Sequence, residues 1–296
     1  MKGSVLVGII CHDAGGASII ASYLLNERKN YLFHLDGPAI KIFQEIYGEF
    51  TQSDYKEIFK NINHLYVGSS VTSNLEYLAT AHAKSLKIRV TVFMDHWTLY
   101  EDRFERNGNT VVPDEIIVTD DLAEKLIHKV FPKTLVTKID NPHILFLKKQ
   151  YNKLKHDYRL PLKKQALWLS DPFDELDDPF STQRNKGYRL NFTELEAFEW
   201  FIKRIKKKFP NIEEIVIRPH PSETKNKFDE NYKNQGLRIS ISRNENLLVD
   251  ILQSSVIGGV GTMALYIAFK LGAHSFRSIP DDGFESIGEF SFIERI

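Results

Sequence analysis

The sequence predicts an α/β protein of two Rossmann-like domains facing each other across a cleft. Short apolar, β-branched runs alternate with amphipathic segments through the first half, the pattern of parallel strands joined by crossover helices. A lysine-rich break interrupts this pattern near the middle, after which the alternation restarts. The 296 residues are also long for one core and comfortable for two of about 150 each.

The elements follow in order. Ser4–Cys11 predicts a buried strand, and Gly15–Arg28 a helix with Ile19, Ile20, Tyr23 and Leu24 on its apolar face. Tyr31–Leu35 predicts the second strand, and Pro38–Tyr47 a short helix opened by proline. Leu65–Val67 ends at Gly68-Ser69-Ser70, and Ser73–Leu86 reads as a helix whose Ser73 and Glu76 form a capping box. Ile88–Met94 is a β-branched strand ending at Asp95-His96-Trp97. Glu115–Val118 leads into Thr119-Asp120-Asp121, a cap for the helix Leu122–Val130. Leu135–Lys138 is a short strand before a connecting helix, Asn141–Lys155.

The basic stretch Lys148–Lys164 places the domain boundary, giving domains 1–150 and 151–296. Its charge suits either anionic lipid or a solvated linker face, the second being the simpler account. Ala166–Leu169 then predicts a strand ending at Ser170-Asp171-Pro172, followed by a polar loop over Phe173–Leu190. Phe192–Phe209 is an amphipathic helix with Phe198, Phe201, Ile202 and Ile205 on one face, and its terminal Lys206-Lys207-Lys208 suits the negative end of the helix dipole. Glu214–Arg218 and Leu237–Ser242 are strands, Glu245–Gln253 a helix and Val256-Ile257 a short strand. Thr262–Leu271 is a helix closed by Gly272, and Ala273–Ser278 is the last strand.

Composition narrows the function. Lysine plus arginine and aspartate plus glutamate number 39 each, so no global field invites nucleic acid. The single Cys11 excludes an intramolecular disulfide and a multi-cysteine metal site, which suits a reducing cytosol. The basic start and short apolar run stop at His12-Asp13 without a cleavage pattern, so they read as a strand, not a signal peptide. No apolar stretch reaches the ~18 residues of a membrane span. The expected location is cytoplasmic, with peripheral contact at the inner face of the membrane left open.

The candidate site residues lie where strands turn into helices, the ligand-bearing edge of an open parallel sheet. His12-Asp13-Ala14-Gly15-Gly16 follows the first strand: two glycines and a helix N-terminus suit close backbone approach of a ligand, and His12 and Asp13 suit proton transfer. Equally, Asp13 caps the helix and His12 packs. Asp95 is a second carboxylate at the same edge; alternatively it caps the next turn while Trp97, Tyr100 and Phe104 form a satellite core. Arg218-Pro219-His220-Pro221-Ser222-Glu223 pins an imidazole between two prolines, which suits a rigid donor to phosphate, with Arg218 adding charge or pairing with a neighbour. Gly258-Gly259-Val260-Gly261-Thr262 offers a glycine turn, a hydroxyl and a helix N-terminus for an anion. Ser170 and Asp171 close another strand of the same domain. No dinucleotide fingerprint, P-loop lysine, H-E-x-x-H, His/Cys cluster or G-x-S-x-G elbow is present, and the pairs Asp120-Asp121, Asp177-Asp178 and Asp281-Asp282 read as turn caps.

The Arg-Pro-His-Pro turn, followed by a Gly-Thr turn opening Met263-Ala264-Leu265-Tyr266-Ile267-Ala268-Phe269-Lys270-Leu271-Gly272, resembles bacterial GT-B glycosyltransferases of the sialyltransferase and polysialyltransferase-like branch. The resemblance implies that His220, with Gly261 and Thr262, holds the phosphate of a CMP-activated nine-carbon sugar. It implies an acidic base in the first domain, Asp13 and then Asp95, and an acceptor that is a glycan or glycoconjugate. The implied reaction is a metal-independent inverting transfer with no cofactor besides the nucleotide-sugar donor. Two other classes stay open: a nucleotide-sugar epimerase or hydrolase, or polyol-phosphate transferase, on the same plan, and a non-catalytic nucleotide- or sugar-binding protein.

Overall fold

A computed structural model describes residues 6–158, 163–171, 173, 191–221, 223, 227–228, 236–281 and 290–296. The chain divides into two compact units, Met1–Phe146 and Leu147–Ile296.

The first unit is built on a six-stranded parallel sheet. Its strands are β1 (Leu6–Cys11), β2 (Asn30–Leu35), β3 (His64–Val67), β4 (Arg89–Phe93), β7 (Glu115–Val118) and β8 (Leu135–Lys138), in the order β2-β1-β3-β4-β7-β8. Parallel strands are buried on both faces by their crossovers, which is why β1 reads as an unbroken apolar run. Val7, Ile9 and Ile10 are fully buried. The helices are α1 (Ala14–Leu24), α2 (Pro38–Ile46), α3 (Tyr55–Asn61), α4 (Leu75–Ser85), α5 (Tyr100–Phe104) and α6 (Asp121–Val130). Pro38 opens α2, and Asp120 caps α6 by accepting from Ala123 N at 2.8 Å. The short helices α3 and α5 stand where the sequence suggested no regular element. So does an antiparallel hairpin of β5 (Glu105–Arg106) and β6 (Asn109–Thr110). Its turn, Asn107-Gly108, has φ of 52° and 78°, the left-handed pair that an Asn-Gly hairpin needs.

One local expectation fails. Glu76 does not close a capping box with Ser73; Ser73 Oγ accepts from Leu75 N at 3.1 Å, while the Glu76 carboxylate turns inward. At 3% exposure Glu76 is the one buried charged residue among the described residues of the unit.

Helix α7 (Pro142–Tyr158) contains the division between units, so Lys148–Lys155 lies on the connecting helix expected over Asn141–Lys155. The second unit holds a five-stranded parallel sheet of β9 (Lys163–Leu169), β10 (Glu214–Arg218), β11 (Arg238–Ile241), β12 (Ser254–Gly259) and β13 (Ser275–Arg277), ordered β11-β10-β9-β12-β13. With them stand α8 (Glu194–Lys208), α9 (Leu247–Gln253) and α10 (Met263–Lys270). Thr193 and Glu196 form a full capping box on α8, and Ala197, Phe198, Phe201, Ile202 and Ile205 bury its inner face against Trp168 and Ile217. Among the described residues no helix is long and apolar enough to cross a membrane.

Both strand orders contain a reversal. In the first sheet the chain moves from β1 to β2 on one side, then to β3 on the other. In the second it moves outward from β9 through β10 to β11, then returns to place β12 on the far side of β9. Such reversal points leave a crevice at the carboxyl ends of the flanking strands.

Candidate active site

In the first unit the crevice between β1 and β3 is bordered by His12-Asp13 and by Gly68-Ser69. Asp13 occupies the N-cap position of α1 with extended geometry (φ −79°, ψ 146°), yet its side chain makes no capping bond. Its carboxylate instead accepts from His12 Nδ1 at 2.7 Å, and the two side chains are 27% and 23% exposed. Pairing with the His12 imidazole, not capping, is therefore what this carboxylate does. The backbone beneath is held on both sides: His12 N donates to Glu76 Oε1 at 2.7 Å, and His12 O accepts from Ala39 N at 2.9 Å. The ring lies over Gly37, where a Cβ would come within 2.6 Å of Nε2.

Asp95 reaches the same helix end. A Cβ on Gly15 would lie 1.9 Å from Asp95 Oδ2, and one on Gly16 would lie 3.0 Å from Gly68 Cα. Both glycines thus have a packing reason: one admits a carboxylate to the first turn of α1, the other lets the helix approach the end of β3. Arg103 Nη1 donates to Asp95 Oδ1 at 3.1 Å and to Ser69 Oγ at 3.1 Å, and it also bonds Ser69 O. Burial pushes the Asp95 carboxyl above its usual range; Arg103 opposes this and the charge of Asp13 adds to it. Burial also raises Glu76, against the pull of the His12 N–H, and raises the Cys11 thiol, to which the Glu76 charge adds. Asp95 does not behave as a simple turn cap. Trp97, Tyr100 and Phe104 are buried, the core alternative for these aromatics.

In the second unit the crevice between β9 and β12 is bordered by Ser170-Asp171 and by Gly259–Thr262. Thr262 is the N-cap of α10; its hydroxyl accepts from Ala264 N at 3.4 Å. A Cβ at Gly261 would lie 3.9 Å from Asp171 Oδ2, so a carboxylate stands near the same helix end. His220 follows β10, the neighbour of β9, and is partly exposed. Its turn is closed reciprocally: His220 N donates to Glu223 Oε2 at 2.9 Å and Glu223 N to His220 O at 3.0 Å. Ser222 lies outside the described residues. Arg218 bonds the buried Asp250 at 2.7 Å and the carbonyls of Asn244 and Glu245 at 2.8 Å each. Its two terminal nitrogens thus serve the start of α9, the pairing alternative for this residue.

Beneath the His220 turn lies a buried cluster that the sequence did not reveal. Glu194, fully buried, accepts from Trp168 Nε1 at 3.1 Å, Ser170 Oγ at 2.6 Å, Asp171 N at 2.8 Å and Lys227 Nζ at 2.5 Å. Ser170 also bonds Glu223, so its hydroxyl serves the cluster. Burial pushes the Glu194 carboxyl to about 7, against the pull of Lys227 and Ser170. The Thr193-x-x-Glu196 spacing marks a helix start, and nothing in it says that the intervening Glu194 points inward. Among the described residues no group of three His, Cys, Asp or Glu side chains could hold a metal ion.

No protein-family model matches the chain, and no curated protein matches it in sequence. Solved structures do match. The UDP-GlcNAc 2-epimerase of Methanocaldococcus jannaschii, in complex with UDP-GlcNAc and UDP, is 15% identical over 97% of this chain and 87% of its own, with a TM-score of 0.60. The UDP-GlcNAc 2-epimerase of Neisseria meningitidis bound to UDP-GlcNAc is 14% identical over 97% and 85%, with a TM-score of 0.60. The glycotransferase of kitacinnamycin is 11% identical over 100% and 87%, with a TM-score of 0.56. The likeness is one of fold: an α/β chain with parallel sheets, of the GT-B-like two-domain Rossmann type. It lends nothing particular to the sialyltransferase branch or to a CMP-linked donor.

Proposed function

We propose that the chain is a nucleotide-sugar enzyme, a glycosyltransferase that moves a sugar with inversion onto a glycan or glycoconjugate acceptor. One observation carries the reading. Each sheet has polar groups at its carboxyl edge, and the two sets differ in chemistry: a His12–Asp13 pair about a quarter exposed in one unit, and in the other a glycine turn opening a helix, with His220 two strands away at the same edge. Inverting transfer needs a base on the acceptor hydroxyl and donors on the leaving phosphate.

In this reading His12 takes the acceptor proton through Nε2 while Asp13 holds Nδ1–H, the arrangement of a base oriented by a third group. Asp95 is the second choice of base, because Arg103 already engages it. Gly259, Gly261, Thr262 and His220 receive the donor phosphate, the N–H groups of α10 supplying the positive end of a dipole. Ser170 and Arg218 act behind these groups, since both are bonded to buried carboxylates. The reading keeps the metal-independent course expected from the sequence. The donor is a nucleotide-activated sugar. The His-Pro motif suggests a CMP-linked nonulosonic acid, whereas two similar structures hold UDP-GlcNAc, which supports trying a UDP-sugar first.

The same two structures favour a second reading, epimerisation of a UDP-sugar. Thermal-shift measurements with CMP, CDP, UDP and GDP come first, because a ligand of the native state raises its melting temperature. One nucleotide should do so, and His220→Ala should abolish the shift; no shift with any of them would sink the nucleotide-sugar reading. Incubation of UDP-GlcNAc without acceptor, followed by NMR, then separates the two. A 2-epimer formed in the absence of acceptor selects epimerisation, and turnover only with acceptor selects transfer.

A further inference from the structure

Glu76 is 3% exposed, sits in the first turn of α4 and is reached across the end of β3. Its position is an unfavourable one for a carboxylate. Oε1 accepts the His12 N–H at 2.7 Å, but among the described residues Oε2 is buried with no hydrogen-bond partner. Beside it is a cavity of about 10 Å³ bordered by Gly68, Ser69, Thr80 and Arg103, about the room of one water. An unsatisfied buried oxygen destabilises a fold. A residue that merely filled this space would be apolar, and one that merely capped α4 would turn outward to the backbone of Ser73.

The adjoining geometry supplies the reason. Asp13 has the backbone conformation of an N-cap, where aspartate ordinarily accepts from the N–H groups of the first helical turn. It does not do so, and its carboxylate stays on His12. The preceding peptide is fixed by Cys11 O accepting from Asp36 N at 3.0 Å, His12 O from Ala39 N, and His12 N donating to Glu76. Of these three restraints only the last is made by a side chain.

We propose that Glu76 is a positioning residue for the proton-transfer pair, holding the peptide of His12 so that Asp13 pairs with the imidazole and does not collapse onto the end of α1. This rests on the reading of His12–Asp13 as the base. Crystal structures of full-length Glu76→Ala and Glu76→Gln, with steady-state kinetics on the nucleotide sugar found above, test it. Glu76→Gln keeps an acceptor for the His12 N–H, so it should preserve the 2.7 Å pair and keep kcat within about threefold. Glu76→Ala should move the Asp13 carboxylate onto the N–H groups of Gly15 or Gly16 and lower kcat at least tenfold with KM little changed. Glu76→Met, of similar length with no acceptor oxygen, replaces it should the alanine variant not fold. A His12–Asp13 pair unmoved in the variants lacking an acceptor overturns the proposal, as does an equal loss in Glu76→Gln. A displaced pair with unchanged kcat upholds the role of Glu76 and overturns His12–Asp13 as the base.

Discussion

Arg218 shows how one residue type serves two chemistries that sequence cannot separate. An arginine beside a rigid His-Pro turn suits phosphate, yet here it neutralises Asp250, whose side chain is 1% exposed. Removing one partner of a buried pair leaves the other charged and unpaired. Arg218→Ala should therefore lower stability by about 3 kcal/mol in urea unfolding, and at a temperature where it stays folded it should bind nucleotide as the native chain does. A variant of native stability with lost binding would instead assign Arg218 to the ligand. The glycines teach a related lesson. Gly15 and Gly16 were legible as an opening for a ligand, but a Cβ at either meets protein atoms first. A missing side chain marks close approach without saying of what.

Among the elements, α8 was the most legible. Its apolar stripe and its basic end were both visible, and its inner residues are fully buried. The capping box at Thr193 and Glu196 adds a local restraint, Thr193 N donating to Glu196 Oε2 at 2.7 Å. Thr193→Ala should cost about 1 kcal/mol, read as a lower denaturant midpoint at unchanged slope. A cost near zero would mean that tertiary packing alone sets the start of the helix. The capping box read from the sequence at Ser73 and Glu76, by contrast, does not form. An N–H of another segment, His12, competes for the same carboxylate, and only the fold brings it within reach.

For the whole molecule, pH acts on groups whose burial was invisible in composition. Burial holds the imidazoles of His64 and His143 down at about 4, with Arg89 and Lys29 adding to the effect at His64. Between about 4 and 6.5 the unfolded chain binds protons at these sites and the folded chain does not, so stability is lost as pH falls through that window. Glu194 works the other way. Raised to about 7, it favours the folded state below its unfolded value and that contribution is lost as pH rises toward 7. His64→Gln retains an amide to meet Thr91 and cannot titrate. The stability difference between pH 7 and pH 5 should shrink in this variant by on the order of 1 kcal/mol, after allowance for partial exposure. An unchanged difference in chemical-denaturation curves at the two pH values would remove His64 as a cause.

By itself the sequence determined the α/β class, the alternation of strands and helices in each half, and the edge at which candidate groups stand. These follow from periodicity and from turn residues, which are local properties of a chain. Hydrogen-bond choice was not legible, because it depends on which distant donor the fold delivers. Tertiary structure alone decided that Asp13 meets His12 and not its own helix, that Asp95 meets Arg103, and that Arg218 meets Asp250. It also turned Glu76 and Glu194 inward, where burial overrides the solvent-facing preference of a carboxylate once strong donors are fixed in place. The strand orders completed the division, since adjacency in a parallel sheet is set by crossover packing and not by any residue within a strand.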